Sequence, residues 1–493
     1  MKRLKKRRIA KPNLANCEDC KGQAMKKAFL GGRLRQLREQ HKLTQAALAQ
    51  RLDISSSYLN QLERNQRPLT VQVLLKINSE FGLDIQFFSE EGDARLLAEL
   101  REVFHSDLHE DSVTAAQLRD LVDNMPAVAR RFVKLYRDYR EADELAKTQV
   151  LGSTPTTPTA NARTAFEDVR DFFYDKRNYF EQLDNKAEAI FENASLSVGQ
   201  TLDGLTRRLR NRHDIEVALV ESPENGQIRH YDTTEKVLQI DRGLRGGQRA
   251  FQMATQIGLL EASTEIERQV ASGGFVTNEA EELARIGLAK YFAAALMMPY
   301  DKFWKAAEKS RYDITWLSRR FGAGFETTCH RLSTLQKPSA KGIPFFFLRV
   351  DRAGNISKRQ SATDFHFSKV GGSCPLWKVH AAFDQPGQIL TQIAQMPDGR
   401  TYFWVTRTVQ SGYGRFGAPG KFFSIALGCD IQHASRLVYS KGLDLTDPDA
   451  TTPIGAGCKI CPREKCTQRA FPMVGRSIDI DSNSAGFSPY SSE

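Results

Sequence analysis

Hydrophobic side chains recur at helical spacing near the beginning of the chain. Between residues 34 and 77 many of them are three or four positions apart, the spacing of one face of an α-helix. Turn-forming stretches at 53–55 and 64–68 interrupt the pattern. Thr44 and Ser55 each precede one of the resulting segments, where a hydroxyl can accept a hydrogen bond from the unpaired amides of a first helical turn. The pattern predicts four or five short helices, two of which are spaced as a helix-turn-helix.

The pattern changes several times after this region. Residues 91–150 predict long amphipathic helices, which would serve as spacers or as dimerisation helices. A Pro- and Thr-rich stretch at 151–163 cannot continue a helix and is typical of a linker. Aromatic side chains then supply the apolar positions of further helices, whereas residues 215–221 and 236–241 show the pattern of strands. The region after the linker therefore predicts helices accompanied by a small sheet.

These patterns place the chain in a multidomain class that is mainly α-helical with α+β parts. We expect seven segments. They are a flexible basic extension (1–28), a helix-turn-helix domain (29–90), a helical linker or dimerisation region (91–150), a Pro/Thr-rich linker (151–163), an α+β ligand-sensing domain (164–335), a cysteine-containing metal domain (336–476) and a disordered tail (477–493).

Composition narrows the class of protein. Hydrophobic residues make up 41% of the 493 residues and aromatic residues 9%, as in globular proteins. No apolar run approaches the ~20 residues of a membrane span, and the basic N-terminus is not followed by the apolar core of a secretory signal. Eight cysteines are too few for a disulfide framework in a chain of this length. We therefore expect a cytoplasmic protein with no membrane partner.

The positive charge is concentrated at the N-terminus. The whole chain carries a formal net charge of +11, and residues 1–68 contain 17 Lys and Arg residues against 5 Asp and Glu residues. A basic end of this kind favours binding to a polyanion, because neutralising phosphates releases condensed counterions. For the run Lys2–Lys11 alone, a solvated charged tail is an equally good interpretation. Together with the helix-turn-helix, the charge indicates double-stranded DNA as a partner.

The helix-turn-helix resembles the XRE family of DNA-binding domains, to which lambda repressor and Cro-like proteins belong. The matching features are Leu43-Thr44-Gln45, Leu48-Ala49, Ser55, Tyr58-Leu59 and the closing run 62–68. In that family the third helix enters the major groove with its N-terminal residues against base edges.

The resemblance implies a set of DNA-binding residues. Gln45 would contact a phosphate or a base. Bases would be read by Ser56, Ser57, Asn60 and Gln61, and phosphates would be held by Arg64 and Arg67. Because one short recognition helix reads few base pairs, we expect a homo-oligomer, a dimer or tetramer, on two half-sites of an operator.

Two later helices, at 247–261 and 289–300, resemble those of IrrE/ImmA-like metallopeptidase domains. A zinc peptidase of that class needs His-Glu-x-x-His, in which two imidazoles bind the metal and the glutamate acts as base. The corresponding positions are Thr255, Gln256 and Leu259, none of which can replace those groups. The resemblance therefore implies a degenerate domain that is not an enzyme. A metal-dependent peptidase is the alternative from another class.

Three cysteines near the C-terminus, Cys458, Cys461 and Cys466, have the spacing C-x2-C-x4-C. Three thiolates cannot close a tetrahedral zinc site or ligate a full iron–sulfur cluster, so a fourth ligand has to come from elsewhere. We expect Cys374, because the glycines of its Gly-Gly-Ser-Cys-Pro turn let the backbone approach a metal centre closely. The other candidates are Cys429, Cys329, His433 and His380. Cys429 follows an apolar run that predicts a strand, so it is better explained as a buried core thiol.

The combination of these parts resembles the short-chain fatty acyl-CoA transcriptional regulators, of the RamB and PrpR type, over nearly the whole chain. The specific marks are the stretches 255–261, 291–299, 371–377 and 457–472. The resemblance implies a regulator of propionate- or acetate-type metabolism that responds to a short-chain acyl-CoA effector such as propionyl-CoA. It also implies a 4Fe-4S cluster on the four cysteines, with zinc as the alternative.

The cleft left by the lost zinc site is one place for the effector. We expect Gln252, Gln256, Tyr291 and Phe292 there, although ordinary packing explains each of them equally well. CoA is anionic and partly adenine, so Arg, Lys and aromatic side chains should line its groove. A redox sensor that carries the cluster but binds no acyl-CoA is a second interpretation of the same architecture.

The first residues raise a separate question. Cys17 and Cys20 form a single C-x2-C pair, which is a weak metal signal because no second pair lies near it in sequence. The natural start is either Met1 or Met25, since residues 25–30 resemble the usual beginning of such regulators.

Overall fold

The computed structural model divides into two compact units. One comprises Met1–Glu90 with Arg119–Pro126, and the other comprises Glu91–Leu118 with Ala127–Glu493. The residues whose structure is described are 31–41, 43–64, 66–67, 69–81, 96–97, 99–100, 103–104, 113–136, 139, 159–221, 227–363, 365, 373–411, 420–463, 466–473, 478–480 and 491–492. The predictions for Cys17, Cys20 and a start at Met25 lie outside them. None of the helices in the described part of the chain has the length and apolar character needed to cross a membrane.

The first unit contains a bundle of four short helices. They are α1 (Gly31–Gln40), α2 (Gln45–Arg51), α3 (Ser56–Glu63) and α4 (Val71–Phe81). Their apolar sides meet in one core in which Leu48, Leu59 and Leu62 are fully buried. These residues are among the positions that the helical spacing placed on an inward face. The predicted helix-turn-helix is therefore confirmed.

Further helices lie in the described parts of the region after residue 112. Helix α5 spans Ala115–Asn124, and residues 126–136 are also helical. The helices that follow are α6 (Thr159–Asp175), α7 (Glu181–Asn193), α8 (Leu202–His213), α9 (Gly246–Glu261), α10 (Ser263–Ser272), α11 (Asn278–Met297), α12 (Tyr300–Lys309), α13 (Ile314–Phe321) and α14 (Phe325–Leu332). Helix α6 begins inside the segment predicted as a linker, directly after Pro158, a residue type that is tolerated at a helix start.

A small three-stranded sheet accompanies these helices. Strands β1 (Glu216–Val220) and β3 (Val237–Asp241) are parallel, and β2 (Arg229–Asp232) pairs antiparallel with the other edge of β3. Strands β1 and β3 confirm the two predicted strands. Strand β2 falls in the polar stretch between these two segments, where the side chains lack the alternation that predicts a half-buried strand.

A second, six-stranded sheet forms the C-terminal part of this unit. Its order is β5-β4-β8-β7-β6-β9. The strands are β4 (Phe346–Val350), β5 (Ile356–Ser361), β6 (Leu390–Gln395), β7 (Thr401–Ser411), β8 (Lys421–Asp430) and β9 (Thr451–Pro453). Successive side chains point to opposite faces, so Phe347 joins the core made by helices α6–α14, whereas its neighbour Phe346 joins a second core around Trp377 and Cys374.

Short elements complete the described chain. They are α15 (Lys378–Ala381), β10 (Ile478–Asp479), β11 (Ser491–Ser492) and the 3₁₀ helices Pro338–Ala340, Ile431–Arg436, Val438–Ser440, Pro448–Ala450 and Cys458–Ile460. Strands β10 and β11 pair antiparallel. These four residues lie in the segment 477–493, for which disorder stays a prediction.

Candidate functional site

The helix-turn-helix is capped at both of its helices. The Thr44 hydroxyl accepts a hydrogen bond from the amide of Ala47 at 3.2 Å, and the Ser55 hydroxyl accepts one from the amide of Tyr58 at 3.1 Å. Each bond satisfies a donor that the first helical turn leaves without an intrahelical partner. Leu59 packs into the core below helix α3. The caps and the core together fix the direction in which α3 presents its N-terminal residues.

A polar network joins α2 to α3. The Nε2 of Gln45 donates to Oε2 of Glu63 at 3.1 Å and to Oδ1 of Asn60 at 3.4 Å. Glu63 is almost fully buried, and its other oxygen accepts a hydrogen bond from Nε of Arg38 at 2.7 Å. A buried carboxylate needs such partners because it has lost its water. Gln45 therefore helps to orient α3.

The other predicted DNA-binding residues lie on α3 and just after it. Ser56, Ser57, Arg64 and Arg67 are exposed, whereas Asn60 and Gln61 are half-buried. Arg64 and Arg67 have the reach and charge to bind phosphates. The guanidinium of Arg67 lies 5.8 Å from the centre of the Tyr58 ring. The structure thus distributes these residues along α3 and just after its C-terminal end, and their individual DNA contacts remain predictions.

Helices α9 and α11 occupy the place of the peptidase site. The hydroxyl of Thr255 donates to the carbonyl of Phe251 at 2.7 Å, so it bonds within its own helix. Gln256 is buried, and Leu259 is a partly buried apolar residue packed against the core. None of the side chains of Thr255, Gln256 and Leu259 is therefore placed to act as a catalytic group.

A glutamate one turn beyond these positions is already paired. The side chain of Glu261 is 5% exposed and binds Arg208 at 2.6 Å and His213 at 3.0 Å. Burial by itself raises the pKa of Glu261, but the hydrogen bonds from Arg208 and His213 outweigh it and hold the pKa below its usual value. Glu261 is therefore a structural carboxylate.

The four residues predicted to bind the effector have different environments. Phe292 is fully buried against Gly258, where a Cβ would come within 2.7 Å of the ring. Tyr291 is also buried, and its hydroxyl donates to Oδ2 of Asp184 at 2.5 Å. Burial, and after it the neighbouring Asp184, raise the pKa of Tyr291. Gln252 is only half-buried. Packing thus accounts for Tyr291 and Phe292, and their binding role stays a prediction.

The four predicted metal ligands line a single pocket. The pocket lies where the turn at 373–377, the end of β9 and the loop 457–469 meet. Its lining residues are Cys374, Pro375, Leu376, Pro453, Gly455, Gly457, Cys458, Cys461, Arg463, Cys466, Gln468 and Arg469. Cys429 and Cys329 are buried elsewhere in the core, as the apolar run before Cys429 predicted for that residue.

Backbone and arginine contacts hold the thiol pocket in shape. The amide of Gly455 donates to Sγ of Cys374 at 3.4 Å, and the amide of Ala470 donates to Sγ of Cys458 at 3.5 Å. Arg469 donates to the carbonyl of Cys458 at 3.1 Å and to that of Cys461 at 2.9 Å. These contacts draw the loop around the sulfur atoms, and amide donors to sulfur are also what tunes a metal–thiolate centre.

The chemistry of this pocket fits a metal centre, but the positions of the thiols do not complete one. Soft thiolates select zinc or iron–sulfur clusters, and four are present. As placed, no group of three or more His, Cys, Asp or Glu side chains among the described residues is arranged to hold a metal ion. Burial raises the pKa of Cys374 and Cys461, an effect that a coordinated cation reverses. The metal centre therefore remains a prediction.

Two sets of polar residues could not be recognised from the sequence. One is the Arg38–Glu63 pair, for which the only signal is an acidic residue at the end of an otherwise basic segment. The other is a group of cations on the larger sheet, including Arg349 and Lys358. A visible signal was the polar run ISKRQS at 356–361, which has no apolar residue after Ile356.

Three family models match consecutive parts of the chain. A helix-turn-helix model matches residues 34–88, the model described as IrrE N-terminal-like domain matches 210–333, and the model described as short-chain fatty acyl coenzyme A regulator, C-terminal, matches 334–490.

Relatives match over nearly the whole chain. The HTH-type transcriptional regulator PrpR of Mycobacterium tuberculosis is 50% identical over 94% of this chain and 96% of its own. The HTH-type transcriptional regulator RamB of the same species is 47% identical over 94% of this chain and 99% of its own. The propionyl-CoA carboxylase regulator of Cereibacter sphaeroides is 39% identical over 94% and 98%. A solved structure, a Mycobacterium tuberculosis transcriptional regulator, is 52% identical with a TM-score of 0.64, over 66% of this chain and 99% of that one.

Proposed function

The chain belongs to the family of short-chain fatty acyl coenzyme A regulators and is a helix-turn-helix transcriptional regulator, and we propose that it changes its operator binding in response to a short-chain acyl-CoA. Propionyl-CoA is the effector that we propose to test first, since one relative is named for a propionyl-CoA carboxylase. The observation that carries the proposal is the joining, in one chain, of a DNA-reading head and the domain that gives the family its name.

The DNA-reading role rests on helix α3. Its exposed first residues, Ser56 and Ser57, would meet base edges in the major groove. Arg64 and Arg67 would bind phosphates on either side, which positions the helix without reading sequence. The Gln45–Glu63 contact holds the two helices at a fixed angle, so α3 is pre-organised for the groove.

The effector would bind in the second unit. Gln252 on α9 is half-buried, and Arg229 donates to its carbonyl at 3.4 Å. The acyl group would lie near Gln252 and Gln256, whereas Tyr291 and Phe292 would support the helices behind them. Binding can shift operator affinity only if the effector has different affinities for two arrangements of the protein.

The thiol pocket would hold the metal centre. Cys374, Cys458, Cys461 and Cys466 would be its ligands, as a 4Fe-4S cluster or, in the alternative, as a zinc site. A bound cluster would supply a redox-sensitive centre, and a bound zinc ion would supply a structural one. In either case Arg463 and Arg469 would balance the negative charge of the thiolates.

Self-association would use the helical segment 126–136 together with Tyr139. Val128, Phe132, Leu135 and Tyr139 are all exposed, from 40% to 63%, and they stand four, three and four residues apart. This is the spacing of a two-stranded coiled-coil seam, so a second copy of the chain is the partner that fits it. A Leu135→Glu variant should sediment as a monomer if this seam is the interface, and an unchanged sedimentation coefficient would exclude it.

Selection of operator DNA tests the proposal. The full chain would be used to enrich binding sequences from a random library, and the enriched operator would be titrated with and without propionyl-CoA, acetyl-CoA and free CoA. We expect an operator with two related half-sites and an affinity that changes with an acyl-CoA. Enrichment of no sequence would contradict the DNA-binding role, and an operator affinity that none of the three compounds alters would contradict the effector.

A further inference from the structure

Cations from three strands lie in one row of the larger sheet. Arg349 on β4 is paired with Lys358 on β5, and on its other side with Ile425 on β8. Ile425 is in turn paired with Arg407 on β7. Residues directly opposite each other in an antiparallel sheet point to the same face. Lys358, Arg349 and Arg407 therefore share a face, with only Ile425 between the two arginines.

This face is turned towards the helices of the same unit. Its apolar members Phe347 and Ile425 belong to the core of those helices. Lys290 on α11 and Arg229 on β2 are electrostatic neighbours of this row, since repulsion from Arg229 and Arg349 contributes, after partial burial, to a lowered pKa of Lys290. We call Arg229, Lys290, Arg349, Lys358 and Arg407 the basic cluster.

The charge of the basic cluster is poorly balanced within the chain. Arg349 pairs with Glu326 at 3.0 Å. None of the other four makes an ion pair with a side chain in the described part of the protein. Burial is the main cause that lowers the pKa of Lys358 to about 8. The negative charge of Glu326 opposes this shift, whereas repulsion from Arg349 and Lys290 adds to it. Like charges placed directly across two strands destabilise a sheet, so a bound anion would relieve this arrangement.

Two buried polar atoms on this face, one on β5 and one on β7, lack a hydrogen-bond partner in the described structure. Oε1 of Gln360 and Nε of Arg407 are both buried without a hydrogen bond in the described structure. Gln360 stands two residues beyond Lys358 on β5 and opposite Phe347, so it lies on the same face. Buried polar groups in native proteins nearly always have partners. A ligand that reaches from β7 to β5, with an acceptor for Arg407 and a donor for Gln360, would supply both missing partners.

The cluster also offers flat apolar surfaces beside its cations. The guanidinium of Arg349 lies 4.7 Å from the centre of the Phe423 ring, and that of Arg407 lies 5.1 Å from the centre of the Phe325 ring. A planar guanidinium supported in this way keeps its edge free for bidentate bonds to a phosphate. The side chain of Arg349 is 28% exposed, so the cluster can be reached from solvent.

We propose that the basic cluster binds the phosphate groups of the acyl-CoA effector. The assignment rests on the proposed function for the identity of the ligand and on the strand pairing for the site. The phosphates would be held by the cations, and an amide or amino N–H of the ligand would donate to Gln360. The acyl end would extend towards Gln252, whose carbonyl Arg229 contacts. Recognition would thus depend on the nucleotide part, which all CoA esters share.

Calorimetry on the full chain tests this assignment with propionyl-CoA and with inorganic pyrophosphate as probes. The first variant is Lys290→Ala, since this exposed side chain makes no ion pair and its loss should leave the fold intact. The conservative variant Lys290→Arg and the double variant Arg349→Met/Lys358→Met accompany it. Lys305→Ala is the matched control, an exposed lysine on α12. Thermal unfolding of each variant shows whether it is folded.

We expect propionyl-CoA to bind Lys290→Ala about tenfold or more weakly than it binds wild type, the effect of losing one hydrogen bond to a charged group. Lys290→Arg should restore most of the affinity, and Lys305→Ala should match wild type. Unchanged propionyl-CoA affinity in folded Lys290→Ala and in the double variant would overturn the assignment while leaving the effector itself in place. Pyrophosphate binding through the cluster without any propionyl-CoA binding would keep the anion site and contradict the proposed effector.

Discussion

Arg331 and Asp184 form an ion pair at 2.5 Å although their side chains are only 0% and 2% exposed. Arg331 also donates to the carbonyl of Met298 at 3.1 Å and to the hydroxyl of Thr334 at 3.2 Å, and Tyr291 donates to the second oxygen of Asp184. The pair thereby ties helices α7, α11 and α14 together. Removing one partner from a buried charge of this kind is strongly destabilising, because the remaining charge stays buried without compensation.

Replacing one member of this pair should destabilise the second unit strongly. Arg331→Met leaves Asp184 buried without its cation, which we expect to lower the free energy of unfolding by about 3–5 kcal/mol. The matched control is Arg285→Met, because Arg285 pairs with Glu267 at the surface at 2.5 Å; its loss should cost at most about 1 kcal/mol. Urea unfolding measures both, and equal losses would contradict a structural role for the buried pair.

The ion pairs of Glu261 should make stability depend on pH. The pKa of Glu261 lies below its ordinary value of 4.5 in the folded chain, so the folded state favours the charged carboxylate. Its contribution is complete above that ordinary value and is lost as the pH falls through the lower, folded pKa. Glu261→Gln should therefore be less stable than wild type near neutral pH, and the difference should shrink in acid. Urea unfolding at several pH values checks this; a constant difference would contradict it.

Phosphate and base contacts in the helix-turn-helix should respond differently to mutation. Arg64→Ala should weaken binding to specific and unspecific DNA alike and should reduce the slope of log affinity against log salt by about 1. Ser57→Ala should mainly reduce the preference for the operator. Fluorescence anisotropy at several salt concentrations measures both. A salt slope that Arg64→Ala leaves unchanged would remove Arg64 from the phosphate contacts.

Metal analysis shows whether the thiol pocket holds an iron–sulfur cluster, a zinc ion or no metal. After anaerobic purification, wild type should carry about four irons with matching sulfide for a 4Fe-4S cluster, or one zinc for a structural site. Cys458→Ser should lose the metal, whereas Cys429→Ser should keep it, because Cys429 is buried on β8 away from the pocket. Neither metal in wild type would contradict the metal centre. Operator binding that responds to oxygen but not to propionyl-CoA would favour the pure redox sensor.

The sequence predicted the parts of the fold that short-range signals control. The helix-turn-helix could be recognised because the Thr44 and Ser55 caps and the buried leucines lie within a few turns of one another. Strands β1 and β3 were visible from their apolar residues. The domain that lost its peptidase residues was visible because Thr255 and Gln256 stand in a recognisable helical pattern.

Features that depend on strand register or distant pairing could not be predicted. Asp184 and Arg331 are 147 residues apart, and nothing near either one indicates its partner. The pairing of Arg349 with Lys358 depends on the register of β4 and β5, and a slip of one residue would separate their side chains. Cys374 was predicted to join the other thiols from the glycines beside it, and its contact with Gly455 arises only from the tertiary fold.

The central claim is that operator and acyl-CoA binding are coupled, and coupling must be reciprocal. The most direct measurement determines the Kd of the operator with and without saturating propionyl-CoA, and the Kd of propionyl-CoA with and without saturating operator. We predict that both ratios differ from one, about 5-fold or more, and equal each other. Ratios of one in both titrations would contradict the account, because the chain would then bind DNA without regard to an acyl-CoA.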